Sequence, residues 1–293
     1  MTRRPITRRG AARNLARRVW IAAGAAVILT YSLAPIIWIL IASITPEQQP
    51  GTAAVWSSTR AVDYFPGQPT LANYAALFES VPFAKYFRNS LIVALGTMAL
   101  ALTVGSLGAY GFVRFRFRGR GPLLSLTLMA YMIPSVVLLV PLMVLFRRYG
   151  LINTYPGLIL AEATNTAPFA LLLMINYFAA LPPELEEAAQ VDGCTRLGAL
   201  IRVVLPLAVP GLMAGGLFAF IMTWNNFLFA FLFATSDDIK TLPVVMRLFA
   251  LGEPAVWGVS AAGAILTTLP VALMFLGFQR MLISGLAAGA VKG

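Results

Sequence analysis

Histidine is absent from this 293-residue chain, and cysteine occurs once, at Cys194. A single thiol excludes an internal disulfide, and without histidine neither a Ser–His–Asp nucleophile nor a Cys/His metal site can be assembled. Charge is scarce: 11% of residues are Asp, Glu, Lys or Arg, against about 25% in an average soluble domain. Lysine is confined to Lys85, Lys240 and Lys292, none in a glycine-rich loop. The G-x-x-x-x-G-K-[ST] pattern that cradles nucleotide phosphates is missing, so this chain is not itself an ATPase. No paired carboxylates lie within an apolar run, which removes intramembrane proteolysis. Enzyme activity in this chain alone is not expected.

What the chain has is apolar sequence. Hydrophobic residues make up 59% and the mean hydropathy is +0.81, more than a soluble globule of this size can bury. The apolar residues gather into six runs, near 19–44, 89–112, 122–146, 156–180, 207–234 and 259–283. Each exceeds the roughly 18 residues that mark a membrane helix. The fold class is therefore all-α: a polytopic membrane protein with six transmembrane helices. The first run follows a basic stretch, as in a secretory signal, yet Val19 to Ile44 is longer than the about 7–15 residues of a signal core. It reads as an uncleaved span.

The formal charge of +11 follows the membrane and not a nucleic-acid face. Arg3, Arg4, Arg8, Arg9, Arg13, Arg17 and Arg18 precede the first run, and Arg114, Arg116, Arg118 and Arg120 follow the second. With six spans and a cytoplasmic N-terminus, 15 of the 22 basic residues lie inside and seven outside. That bias is expected because Lys and Arg resist translocation. The outer pair Arg147–Arg148 fits it least, and a count of five spans would put the C-terminus outside. On the six-span reading both termini are cytoplasmic: 1–18 is a basic N-terminus, 19–283 one transmembrane domain and 284–293 a tail. Membrane lipid is a partner of such a surface; nucleic acid is not. Two outer segments are long, 45–88 and 235–258. Leu71, Tyr74, Ala75 and Phe78 in the first suit an amphipathic helix lying in the interface, and the segment serves either as a cap over the bundle or as a docking surface. Asp237, Asp238, Pro243, Glu253 and Pro254 mark the second as a loop reaching out of the membrane.

The segment 181–206 on the inner side is neither span nor plain loop. Pro182 and Pro183 end the fourth helix. Glu184, Glu186 and Glu187 then fall in the first turn of a new helix, where the dipole favours negative charge. Ala188, Ala189 and Val191 continue it, and Gly193 supplies a turn. Leu197, Leu200 and Ile201 make an apolar stripe on a second short helix, closed by Leu205 and Pro206. From physics alone this hairpin either lies on the headgroups as a connector or docks on a partner.

Glu187-Ala188-Ala189, three residues, Gly193, nine residues and Val203-Val204-Leu205-Pro206 resemble the EAA signature of ABC-importer permeases, with Val203 for the usual Ile and Asp192 before the Gly. Asn73-Tyr74, Asn89-Ser90, Gly108-Ala109-Tyr110, Trp224-Asn225-Asn226-Phe227 and the tail from Phe278 to Gly293 extend the likeness along nearly the whole chain. They are similar to the smaller, MalG-like six-helix permease of maltose-type carbohydrate importers, a type I importer fold. The resemblance implies a cytoplasmic membrane of a bacterium or archaeon. It also implies a second, different permease, an ATPase dimer carrying ATP and Mg, and an extracytoplasmic solute-binding protein; no cofactor sits in this chain. It makes 181–206 the coupling loop, with Glu184, Glu186, Glu187, Ala188, Ala189, Asp192, Gly193, Leu197, Leu205 and Pro206 as its contact residues. The three glutamates would pair with basic groups of the ATPase, and Leu197 and Leu200 would bury against it.

Ionisable groups inside spans default to function, and Glu162, followed by Thr164, Asn165 and Thr166, is the clear case. It suits either a hydroxyl-rich substrate or a polar helix–helix contact near the outer interface. Asn225 and Asn226 in the fifth run must face protein or a wet path, because unpaired amides in lipid are costly; Trp224 either stacks on a sugar or packs. Pro134 and Pro141 should kink the third span. A secondary transporter or channel is the rival class, but no internal repeat accompanies the single buried carboxylate.

Overall fold

The computed structural model describes residues 8–46, 69–250 and 257–290, and among them every regular element is a helix. In chain order these are α1 (Arg8–Ile44), α2 (Ala72–Ser80), α3 (Phe83–Arg114), α4 (Arg120–Met132), α5 (Ser135–Arg148) and α6 (Tyr155–Ala180). There follow α7 (Glu184–Val191), α8 (Arg196–Leu207), α9 (Val209–Trp224), α10 (Leu228–Phe233), α11 (Leu242–Ala250) and α12 (Trp257–Ala290). By length and composition Arg17–Ile44, Phe83–Arg114, Tyr155–Ala180 and Trp257–Gln279 can each cross a membrane, and the number rises to as many as six if each of two bent helix pairs is counted as one span.

The described residues fall into two compact units. The first takes residues up to 77 together with 252–265. Its α1 starts at Arg8, well before residue 19, because the Arg- and Ala-rich approach is itself good helix sequence. At the far end Asn73 Nδ2 donates to the carbonyls of Ser43 (3.0 Å) and Thr45 (2.9 Å), and Tyr74 OH meets Ser43 Oγ at 2.9 Å. The carbonyls that a helix end leaves unpaired are thereby satisfied. Leu77 is buried, while Leu71 is exposed, so the first turns of α2 are fastened to α1 by a polar staple.

The second unit, residues 78–251 and 266–293, is built on α3, α6 and α9. A Cβ at Gly105 of α3 would lie 2.9 Å from the backbone nitrogen of Leu171 in α6, so only glycine lets these backbones approach so closely. Gly211, Gly215 and Gly216 give α9 the same freedom against Tyr177, Leu102 and Met98, the small-residue packing usual where lipid supplies no drive for association. Phe169 and Phe218 stack at 3.7 Å across α6 and α9.

Two expected spans are interrupted. The third is not one kinked helix: α4 and α5 meet at 99° around Pro134, whereas Pro141 lies inside α5 without breaking it. The fifth begins after an 80° bend between α8 and α9 and stops at Trp224. Sixteen residues reach only about 24 Å, short of the roughly 30 Å hydrocarbon core, and α10 resumes three residues later.

The described part of 235–258, up to residue 250, is more than a plain loop, since it holds α11. Pro243 opens α11 near its start, where a missing N–H costs nothing; Glu253 and Pro254 lie outside the described residues. Asn89 Nδ2 donates to the carbonyls of Asp238 (2.8 Å) and Lys240 (3.0 Å), its Oδ1 accepts from Tyr155 OH (2.7 Å), and Ser90 Oγ accepts from Leu242 N (2.8 Å). Lys85 pairs with Asp238 at 2.5 Å and Lys240 with Asp237 at 2.6 Å, the ammonium holding the Asp237 carboxyl below its ordinary range. At the C-terminus α12 continues helical to Ala290, past the tail boundary expected at 284; residues 291–293 lie outside the described residues.

Candidate functional site

The hairpin forms as its residues dictate. Glu184, Glu186 and Glu187 open α7, and Gly193 takes φ +89° just beyond its end. Cys194 N then donates back to Ala189 O and Gly193 N to Gln190 O, both at 3.0 Å, the pattern of a glycine-terminated helix. Thr195 Oγ1 caps α8 by accepting from Gly198 N at 3.1 Å. Residues Leu200–Val204 widen into a π-helical stretch. Leu200, Val204 and Ala208 are buried against Tyr110 of α3 and Met174 and Phe178 of α6. The C-terminal part of the hairpin is thus packed into the bundle of α3 and α6.

Helical geometry divides the three glutamates. At about 100° per residue, Glu184 and Glu187 share a side and Glu186 points away from both. Glu184 and Glu187 are exposed, as are Ala188, Asp192 and Gly193. Glu186 is 5% exposed and cannot serve as an anchor for a partner: its Oε1 takes the Nε–H of Arg114 and its Oε2 takes Tyr110 OH at 3.0 Å. The apolar stripe divides likewise. Leu200 is 1% exposed and spent within this chain, while Leu197 is 57% exposed. Leu197 and Ile201 border an open apolar groove of about 290 Å³ with Leu102 and Leu107 of α3. Leu205 is half-buried and Pro206 exposed.

Inside the apolar region, Glu162 of α6 is 2% exposed, and its Oε2 accepts from Asn226 Nδ2 at 3.0 Å. Glu162 thus makes a polar contact from α6 to the segment between α9 and α10. Asn226 sits in the gap between α9 and α10, where its Oδ1 also accepts from Phe229 N at 3.4 Å. Asn225 is exposed and bonded only to Ile221 O of its own last turn, at 2.9 Å. Asn165 Nδ2 donates to Ser135 Oγ at 2.6 Å, at the start of α5. Trp224 is 1% exposed: the ring stacks on Phe220, meets Phe87 edge-on, and Nε1 donates to Thr267 O at 3.1 Å. In this conformation its ring packs rather than faces a path.

The model of the family described as "Binding-protein-dependent transport system inner membrane component" matches residues 101–287, which include the whole hairpin. This chain belongs to that family. It is 37% identical over 270 residues to the sulfoquinovosyl glycerol transport system permease protein SmoH of Agrobacterium fabrum, covering 92% of each chain. It is 32% identical over 280 residues to the trehalose/maltose transport system permease protein MalG of Thermococcus litoralis, covering 94% of this chain and 98% of that one. Among solved structures, a bacterial ABC transporter involved in importing the acidic polysaccharide alginate matches with a TM-score of 0.75 at 23% identity, covering 95% of this chain and 99% of that one. That likeness is one of fold.

The chain is a membrane permease subunit of an ABC importer, and such subunits are not themselves enzymes. Within this permease the sequence reading missed three groups. Arg114 was placed with the inner-interface arginines, yet it closes on Glu186 and on the carbonyl of Leu181 (3.1 Å). Tyr110 stands in the sequence only within the Gly108-Ala109-Tyr110 likeness, with no role assigned, and Ser135 carries no signal of its own. Periodicity sets Glu186 apart from Glu184 and Glu187, but only the structure shows that it is the buried one and therefore needs a cation nearby.

Proposed function

We propose that this permease imports a carbohydrate or related polyol by alternating access, driven by a separate ATPase through residues 184–206. The observation that carries the reading is the hairpin: a stiff, capped element keyed into α3 and α6, which leaves the carboxylates of Glu184 and Glu187 outward. The sugar-transport names of its relatives support the substrate class. On this reading the complex contains a second, different permease, an ATPase dimer and an extracytoplasmic binding protein, and both ends of this chain are cytoplasmic. Asn225, Asn226, Glu162 and Asn165 border the path, and Trp224 backs it.

The test is reconstitution of the whole complex in proteoliposomes with its binding protein outside. Sugar-dependent uptake that tracks ATP hydrolysis is expected. Uptake by the permease alone along an ion gradient would overturn the reading. Mass spectrometry of ligand retained by the binding protein identifies the sugar, and a ligand without hydroxyl-bearing carbon would overturn the substrate class.

A further inference from the structure

The Arg114–Glu186 pair at the foot of the hairpin is bonded within this chain and joins several elements. Glu186 of α7 uses both carboxylate oxygens inside the chain, one on Arg114 and one on Tyr110. Arg114 ends α3, and its Nη2 reaches the carbonyl of Leu181, the residue that closes α6. Tyr110 OH also lies 3.3 Å from Arg196 O at the start of α8. With one proton to give, the hydroxyl favours the nearer, charged carboxylate. Arg196 in turn lies over the Phe115 ring at 5.2 Å. The ends of α3, α6, α7 and α8 converge on one ion pair.

We propose that Arg114 and Glu186 are positioning residues of the transport cycle: their ion pair locks α7 to the inner end of α3, so that force delivered to the hairpin moves α3 and α6 as one body. The proposal rests on the reading of Glu184–Pro206 as the coupling element. Three observations support a joint of this kind. A polar cavity of about 340 Å³ lined by Tyr110, Arg114, Glu187, Gln190 and Arg196 lies beside the pair, so apolar packing alone does not fix α7 on this side. Glu186 is buried and Arg114 partly so, with side-chain exposures of 7% and 15%, and removing the arginine strands the carboxylate. Beyond the joint, α3 and α6 approach backbone to backbone at Gly105, a contact that cannot slip without separating the helices. The glutamates thus divide the work: Glu184 and Glu187 face the partner, and Glu186 ties their helix to the membrane core.

The experiment compares Arg114→Gln with the double variant Arg114→Gln, Glu186→Gln in the intact complex. Two quantities are read: hydrogen exchange of the α7 amides, and uptake per ATP hydrolysed. The single variant should speed α7 exchange and lower uptake per ATP by about tenfold or more, with basal hydrolysis retained, because a charge is left without its partner. The double variant, in which two amides can bond each other, should recover both to within about threefold. Unchanged exchange in the single variant would overturn the joint. Faster exchange with normal uptake per ATP would overturn its role in transmission, as would a double variant no better than the single. If wild-type hydrolysis fails to respond to the binding protein, the coupling reading itself falls, and with it the transmission role, while the exchange data still decide the joint.

Discussion

Asn226 reaches Glu162 across 64 positions of sequence with a 3.0 Å hydrogen bond, at the three-residue gap where α9 has stopped and α10 has not begun. One turn further along α6, Asn165 holds Ser135 at 2.6 Å, directly after the break at Pro134. Positions i and i+3 share a helix face. A single face of α6 therefore meets both interrupted spans. Broken helices expose backbone that must find protein or water partners at membrane depth, and transporters place substrate sites at such breaks.

The two neighbouring amides should separate in their effects. Asn226→Leu strands a buried carboxyl and should cost about 1–3 kcal/mol, read as a lower melting temperature of the purified complex together with reduced uptake. Asn225→Leu removes only an exposed amide bonded within its own turn, so it should reduce uptake with little change in melting. Normal uptake in both variants would take the amides off the path.

Gly193 should tolerate substitution in proportion to the new residue's ease at positive φ. Nothing lies within 4 Å of a Cβ built there, so within this chain only backbone strain opposes Gly193→Ala, about 1–2 kcal/mol. Gly193→Asn should be milder and Gly193→Val worse, measured as association with the ATPase and as stimulated hydrolysis. Equal behaviour of all three would show that the left-handed turn is not maintained in the complex.

The helix contacts predict a contrast between two glycines. Gly105→Ala would place its methyl 2.9 Å from the backbone of Leu171 and should cost about 1–3 kcal/mol. Gly216→Ala meets only the flexible side chains of Leu102 and Met98, at 3.2 Å and beyond, and should be nearly neutral. Melting of the two variants in detergent checks the order, and a reversed order would contradict the packing of α3 on α6.

At the start of α3, Asn89→Ala should destabilise more than Lys85→Ala. Asn89 is buried and bonded to two carbonyls and a phenol, and losing it leaves those groups unpaired at about 1–3 kcal/mol. Lys85 holds an exposed carboxylate, a contact that salt screens. The Asp237 pair obeys the sign of its lowered carboxyl: its contribution is present at neutral pH and is lost as pH falls through that lowered value. Acid titration of melting in the wild type and Lys240→Ala should therefore diverge only above that region, and more at low salt than at high.

The sequence by itself determined what depends on neighbours along the chain. Apolar runs marked the membrane helices, Pro182 and Pro183 stopped α6, and Gly193 turned the hairpin at a fixed distance from Glu187. All of these are local rules; the structure obeys them at Pro182, Pro183 and Gly193 and in four of the six runs, while the third and fifth runs are interrupted. Tertiary structure alone decided what depends on orientation and on distant partners. Helical periodicity separates Glu186 from Glu184 and Glu187 but does not say which side faces the core; that required Arg114, 72 positions away. Leu197 and Leu200 look alike in a periodic stripe, and packing against Tyr110, Met174 and Phe178 buried only the second. Pro134 announced a bend, yet its 99° turn and its polar tether at Asn165 came from the helix beside it. Trp224 was decided in the same way, by Phe87, Phe220 and the carbonyl of Thr267, because what a buried side chain touches is a property of the assembled helices.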